Sequence, residues 1–305
     1  MSQAKEISVT SIFKKLRSKK RTQPLAQKNV NTVPLSDKLI EAELERHFEP
    51  PQLNAGTGQS VGKQRDHNED CLFAFSFCIG SETNNPPFGL YIVADGMGGH
   101  QYGEVASNAA VRALSSHLLR KLHPFLANPA GAMEESLQEL MNGAVEEAQK
   151  AVMQAAPGSG TTLTAALVLG QQMIIAHVGD SRAYSIRPDG RVEPLTRDHS
   201  LVRRLEELGH ITSEEAASRP DRNVLYRAVG QGEALEPDIF IAPFPLPGYL
   251  MLCSDGLWGV IPEKELGKIV NAAPTLQVAC QNLVAAANAA GGPDNISVVL
   301  VQLLS

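Results

Sequence analysis

Five short stretches of the chain set a carboxylate beside a glycine, asparagine or serine, and each abuts a run of apolar residues. They are Arg65-Asp66-His67-Asn68-Glu69-Asp70, Asp95-Gly96, Val178-Gly179-Asp180-Ser181-Arg182, Leu252-Cys253-Ser254-Asp255-Gly256 and Gly291-Gly292-Pro293-Asp294-Asn295. Taken singly, each reads as a turn, because Asp, Asn and Gly favour turns for local backbone reasons. Asp95-Gly96, at the end of an apolar run, is a favoured hairpin turn. Five in one chain admit a second reading, since carboxylates on buried runs must be paired or coordinate metals. No Cys or His cluster accompanies them, so the donors are oxygens, a set suited to Mg²⁺ or Mn²⁺ rather than Zn²⁺. Several such carboxylates can hold two cations ~3.5–4 Å apart, the arrangement used for in-line attack at phosphorus. The planar fork of Arg65 can grip two phosphate oxygens at once. Its alternative is a surface ion pair, worth little.

These residues need elements to hold them. Apolar runs bounded by turn residues predict strands over 59–62, 71–78, 88–94, 162–168, 173–177, 183–186, 192–194, 238–241, 249–253 and 296–303. Helical patterns cover about 103–122, 132–155, 262–271 and 276–290, with Pro124 and Pro129 in the break between the first two. Residues 199–230 are polar, with short helical pieces and no strong strand. The strands fall in two blocks, each followed by helices, without β-α alternation. That order predicts an α+β domain with largely antiparallel sheets.

Charge divides the chain. Residues 1–30 carry eight Lys and Arg against Glu6, whereas the remaining 275 residues carry 19 basic and 32 acidic side chains. An acidic body argues against nucleic acid as the main ligand. The basic end places Val9, Ile12, Phe13 and Leu16 at helical spacing, a pattern for an acidic partner or a membrane surface, or else a solvated tail. A second short helix is expected from Ser36 to Phe48, and Pro50-Pro51 stops it. The expected division is a basic N-terminal extension over 1–56 and a domain over 57–305. Cys71, Cys78, Cys253 and Cys280 lack C-x-x-C spacing and sit in apolar surroundings, so they read as reduced core residues of a cytoplasmic protein. No run approaches a membrane span, and no signal peptide opens the chain.

From about Gly58 to the C-terminus the chain resembles the metal-dependent protein serine/threonine phosphatases (the PPM, or type 2C, family) in their compact bacterial form. The match rests on Val61-Gly-Lys-Gln-Arg65-Asp-His-Asn68-Glu69-Asp70, Val93-Ala-Asp95-Gly96-Met-Gly-Gly-His100 and Gly103-Glu104-Val-Ala-Ser107. It continues through Gly160-Thr161-Thr162, Val178-Gly179-Asp180-Ser181-Arg182, Ser254-Asp255-Gly256-Leu-Trp258 and Gly291-Gly292-Pro-Asp294-Asn295, in family order. The resemblance implies a sandwich of two antiparallel β-sheets flanked by pairs of antiparallel α-helices, with metals in a cleft at one end. It implies that Asp95 bridges two Mn²⁺ or Mg²⁺ ions, that Asp255 and Asp294 complete the first site, and that Glu69 and the Gly96 carbonyl hold the second. Asp70 then acts through bound water, and Asp180 with Asp255 forms a weaker third site. Arg65 matches the phosphate-binding arginine, Asn295 a supporting turn residue, and Arg182 a structural partner beside Asp180.

The implied activity is hydrolysis of phosphoserine and phosphothreonine on proteins by a metal-bridged water, by a monomer that reverses a serine/threonine kinase. The alternative is a phosphopeptide-binding pseudophosphatase or regulatory module on the same scaffold. A nucleotide-binding loop at 158–162 fails, because no Gly-Lys-Ser/Thr ends it. The chain also departs from the family. Animal members place a His directly after Asp-Gly, where this chain has Met97, so the nearest candidate acid is His100. Residues 199–230 match the family's flap, but Arg219-Pro220 stands where His-Pro is common and Tyr226 where Thr is common. Loops of this kind carry specificity.

Overall fold

The computed structural model describes residues 50–79, 86–98, 102–127, 135–219, 221, 223–232 and 235–304, all within the unit His47–Ser305. The helices expected over 9–16 and 36–48, and also His100, Pro220 and Arg222, lie outside the described residues.

In chain order, β1 (Gln52–Ser60), β2 (Asp70–Phe77) and β3 (Phe88–Met97) precede the helix pair α1 (Gly103–Ala127) and α2 (Leu137–Ala155). Then come β4 (Gly160–Thr161), β5 (Leu163–Leu169), β6 (Gln172–Val178), β7 (Arg182–Ile186) and β8 (Val192–Pro194). Two short helices follow, α3 (Leu201–Glu207) and α4 (Ser213–Ser218), and then β9 (Asp238–Pro243) and β10 (Tyr249–Cys253). The chain ends in α5 (Asp255–Trp258), α6 (Glu263–Ala272), α7 (Leu276–Ala289) and β11 (Ile296–Leu304). One sheet runs β1-β11-β10-β7-β8; the other runs β2-β3-β5-β6-β9, with β4 paired to the end of β3. The pairings are antiparallel, as expected.

Three cores explain why the strands read as unbroken apolar runs. Successive side chains of a strand point to opposite faces. In β3, Leu90, Ile92 and Ala94 pack with Leu114 and Leu118 of α1 and Leu140 and Val145 of α2. Tyr91 and Val93 face the other way, into the layer between the sheets with Leu250, Leu252, Val299 and Val301. The outer face of the β1-β11-β10-β7-β8 sheet buries Met251, Val298 and Leu300 against Leu266, Val270 and Leu283 of α6 and α7. Each such Leu, Ile or Val contributes roughly 1.5–3 kcal/mol on burial. The result is an α/β/β/α stack whose core leaves the strand ends free for polar work.

Several boundaries differ from expectation. β1 begins at Gln52 rather than 59, since β11 offers a partner along its whole length (Gln52↔Leu304 to Ser60↔Ile296). Residues 52–56, placed in the extension by composition, are therefore part of the sheet. α2 starts at Leu137 because Ser136 and Glu139 form a capping box. α1 runs past Pro124 to Ala127; Pro124 forgoes its own backbone bond and crowds the carbonyl one turn before it, and the helix ends within a turn of it. Of the cysteines, Cys253 and Cys280 are buried as expected, but Cys71 is half-buried and Cys78 exposed; all are free thiols.

The largest correction concerns Asp95-Gly96, which is not a hairpin turn. β3 continues through both residues and pairs with β4 (Gly96↔Thr161, Met97↔Gly160). Glycine is needed there for close approach: a Cβ on Gly96 would lie 2.1 Å from the Gly103 carbonyl oxygen and 2.7 Å from that of Glu69.

Candidate active site

The strand ends gather the sequence-predicted residues at one end of the sandwich. Asp95 ends the apolar run of β3, and Asp70, the first residue of β2, is its cross-strand partner. Asp255 opens α5 directly after β10, Asp180 sits in the β6–β7 turn, and Asp294 precedes β11. A cleft of about 540 Å³ is lined by Arg65, Glu69, Asp95, Asp180, Asp255 and Asp294, with the Gly96 backbone in its wall. Asp70 lies beneath, buried, its Oδ2 accepting from Ser254 Oγ at 2.8 Å. His100 lies outside the described residues.

A frame of hydroxyls and one amide fixes these positions. Both backbone groups of Asp95 are held by the Gly160-Thr161-Thr162 stretch. Its N–H donates to Thr162 Oγ1 at 2.8 Å, and its carbonyl accepts from Thr162 N at 2.8 Å and Thr161 Oγ1 at 2.9 Å. Thr162 Oγ1 also shares a hydrogen bond with Ser181 Oγ at 2.7 Å, tying the Asp180 turn to Asp95. The Glu69 carbonyl accepts from Ser107 Oγ at 2.6 Å and from Gly96 N at 3.2 Å. Gly103 lets the Glu69 carboxylate rest on the start of α1, where a Cβ would lie 2.4 Å from Glu69 Oε1.

Asn295, read from sequence as a supporting residue, clamps the whole 61–69 segment. Its Oδ1 accepts from Glu69 N at 2.8 Å, and its Nδ2 donates to the Val61 carbonyl at 2.8 Å and the His67 carbonyl at 2.9 Å. Asn295→Ala removes three bonds at a buried position, each worth about 1 kcal/mol net. Urea denaturation is expected to show a loss of about 3 kcal/mol. Arg182 has its expected structural role, with Nε and Nη2 donating to Asp198 at 2.9 and 2.7 Å.

The carboxylates repel one another. Burial first, and then Asp70, Asp255, Asp180 and Asp294, hold the Asp95 carboxyl well above its ordinary range. Burial and Asp255 do the same to Asp180. Burial raises Asp70 to about 7 against its serine hydrogen bonds, and burial with Asp294 raises Asp255 to about 6. Arg65 Nη2 lies 2.7 Å from Asp294 Oδ2, and its Nη1 lies 4.0 Å from Glu69 Oε2.

The test of a metal centre is whether these donors want a cation. The Oδ1 atoms of Asp70 and Asp255 are buried without a hydrogen-bond partner, an arrangement that costs free energy unless a cation or proton compensates it. The donors are oxygens that raise one another's affinity for positive charge, a fit for Mg²⁺ or Mn²⁺. Among the described residues no three His, Cys, Asp or Glu side chains close around a single point. The Arg65 guanidinium instead neutralises Asp294. Sequence reasoning did not single out His67, whose Nε2 lies 3.5 Å from Glu69 Oε1 in the cleft wall, nor the part played by Thr162 and Ser254. Thr162 and Ser254 stand inside the motifs that carry the resemblance, but a hydroxyl's partner is not written in its residue type.

The family model for Protein phosphatase 2C matches residues 57–289. The serine/threonine phosphatase stp of Listeria monocytogenes is 38% identical over 247 residues, covering 79% of this chain and 92% of the relative. The solved serine/threonine phosphatase of S. agalactiae superposes with a TM-score of 0.69 at 33% identity, over 82% of this chain and 99% of that one. A structure of the PstP catalytic domain in complex with two manganese ions superposes with a TM-score of 0.66 at 28% identity, over 84% of this chain and 100% of that one. A matched domain, the acidic strand ends gathered at one cleft, and relatives that align with this chain along nearly their full length agree: the chain belongs to the protein phosphatase 2C family of metal-dependent serine/threonine protein phosphatases.

Proposed function

We propose that Asp95 bridges two Mn²⁺ or Mg²⁺ ions in the acidic cleft, where phosphoserine and phosphothreonine on proteins are hydrolysed. The observation that carries this reading is the gathering of Asp95, Asp180, Asp255, Asp294 and Glu69 around one cleft over the unpartnered Oδ1 atoms of Asp70 and Asp255. Asp255 and Asp294 complete the first metal site. Glu69 and the Gly96 carbonyl hold the second, supported by Asp70, and Asp180 with Asp255 forms a third. Such ions supply Lewis acidity and make water a nucleophile at neutral pH. Arg65 releases Asp294 and turns its fork to the phosphate, countering the charge on the equatorial oxygens.

The test is hydrolysis of p-nitrophenyl phosphate with Mn²⁺, Mg²⁺ or Zn²⁺, with and without a chelator. Turnover with Mn²⁺ or Mg²⁺ that the chelator abolishes is expected; metal-independent turnover refutes the assignment. The pseudophosphatase alternative gains nothing from relatives named as phosphatases, and no carboxylate of the set is missing.

His100 is the candidate side chain for the proton donated to the leaving alkoxide, against metal-bound water as the donor with His100 only positioning its loop. Removing a general acid makes the rate depend more steeply on the leaving group. His100→Ala is therefore expected to steepen the dependence of kcat/KM on leaving-group pKa across a series of aryl phosphates, and an unchanged slope removes His100 from the mechanism.

The substrates belong to a serine/threonine kinase that this phosphatase opposes. The basic segment 1–30 docks an acidic partner or membrane surface, a reading supported by its +7 charge, and the enzyme works in the cytoplasm, a reading supported by the free cysteines. No helix among the described residues is long and apolar enough to cross a membrane.

A further inference from the structure

The acidic cleft continues on one side into a groove of about 460 Å³. Arg65, Asp180, Asn223, Asp255 and Asp294 line both. Past them the walls change character. Val202 comes from α3, Ala216 from α4, Trp258 from the last residue of α5 and Val260 from the turn after it.

Beyond the residues shared with the cleft, the charged side chains of this groove pair with one another. Arg182 donates to Asp198 at 2.9 and 2.7 Å, and Arg203 Nη1 lies 2.7 Å from Glu206 Oε2. Paired charges have less attraction left for a ligand's charge, so what sets this mixed groove apart from the acidic cleft is its apolar wall of Val202, Ala216, Trp258 and Val260. Trp258 is held rigidly in that surface: its Nε1 donates to the Asp180 carbonyl at 3.0 Å, and the Arg182 guanidinium lies 3.5 Å from its ring centroid. A fixed aromatic ring beside aliphatic side chains is a seat for an apolar group.

Trp258 follows Asp255 by three residues on α5, a rise of about 4.5 Å. An extended peptide covers about 3.3–3.6 Å per residue. A side chain one or two positions from a phosphorylated residue in the cleft therefore reaches the groove.

We propose that this groove seats an apolar side chain of the substrate within two residues of the phosphorylated serine or threonine, so that the enzyme selects phosphopeptides carrying Leu, Met or Phe there. The proposal rests on the phosphatase reading of the adjoining cleft.

The test compares kcat/KM, with Mn²⁺, for phosphopeptides bearing Phe, Leu, Gly or Asp at each of the two positions on either side of phosphothreonine, with p-nitrophenyl phosphate as a reference lacking flanking residues. One position is expected to show at least about a 10-fold preference for Phe or Leu over Asp, the scale of a filled apolar pocket. Val260→Asp and Ala216→Glu, on separate elements, each place a charge in the groove. Both are expected to reduce that preference to about 2-fold or less while turnover of p-nitrophenyl phosphate stays at the wild-type level, which also reports an intact fold. Indifference of the wild type to flanking residues, or a preference that survives in both variants, overturns the proposal. Absence of p-nitrophenyl phosphate hydrolysis defeats the phosphatase reading itself, so the two failures are distinct.

Discussion

Asp95→Asn is expected to lower Mn²⁺-dependent turnover of p-nitrophenyl phosphate by about 10³-fold or more, at the upper end of the losses seen when a preorganised charge is removed from an active site. The side chain keeps its shape and loses its charge. Its backbone stays anchored, because Thr161 and Thr162 bind the N–H and carbonyl of residue 95 whatever the side chain. The same change removes one member of a mutually repelling set that includes Asp70, Asp180, Asp255 and Asp294. The variant is therefore expected to have a higher thermal midpoint than wild type when both are held in chelator. A dead enzyme more stable than its parent separates a functional carboxylate from a structural one. Near-normal turnover, or a lowered midpoint in chelator, refutes the bridging role.

Mn²⁺ is expected to raise the thermal midpoint at neutral pH by roughly 10 °C. A ligand at about 1,000 times its Kd contributes about 4 kcal/mol, and a domain of this size gains about 2–4 °C per kcal/mol. The increment should shrink as the pH falls toward 5. Asp70 is raised to about 7 and Asp255 to about 6 in the folded protein. Both lie above the ordinary carboxyl value of about 4, so without metal the folded state binds more protons than the unfolded state. Stability of the chelated protein is therefore lost as pH rises from about 4 through 7. Cations supply the missing positive charge at neutral pH, and protons compete with them as the pH drops.

His177 works in the opposite direction. Burial, then His199, pushes it down to about 4, so its contribution is present above about 6.5 and lost as the pH falls toward 4. That loss occurs with or without metal and cancels in the difference. Scanning fluorimetry in Mn²⁺ and in chelator from pH 5 to 8 reads the increment directly; one that does not change with pH contradicts the account.

Much of this was legible in the residues, for identifiable reasons. The runs at 88–94, 162–168 and 249–253 are apolar on both faces because two layers cover each sheet, so they stood out as buried strands. β1 did not stand out. Gln52, Asn54, Thr57 and Gln59 carry polar side chains, and the strand exists through its ladder with β11. The start of α2 needed the cap geometry of Ser136, which composition alone does not rank above neighbouring positions. Asp95-Gly96 misled because local turn preference is the strongest signal in a dipeptide. A partner strand some 65 residues away, at Gly160-Thr161, overrode it.

The sequence by itself determined the chemistry on offer: oxygen donors without thiols or imidazoles clustered beside them, a guanidinium at Arg65, and an order of acidic motifs that named the family. Residue type and covalent order suffice for that, because donor atom and charge belong to the residue. Tertiary structure decided which of those oxygens meet. Asp70 became the cross-strand neighbour of Asp95, Asn295 closed over Glu69 from more than 200 residues away, and Ser254 reached Asp70 between the sheets. It also decided that the groove beside the cleft has an apolar wall, where Val202, Ala216, Trp258 and Val260 meet beside the paired Arg182–Asp198 and Arg203–Glu206. Proximity between distant residues is set by the packing of two sheets against each other, a property of the assembled core that no local stretch of chain encodes.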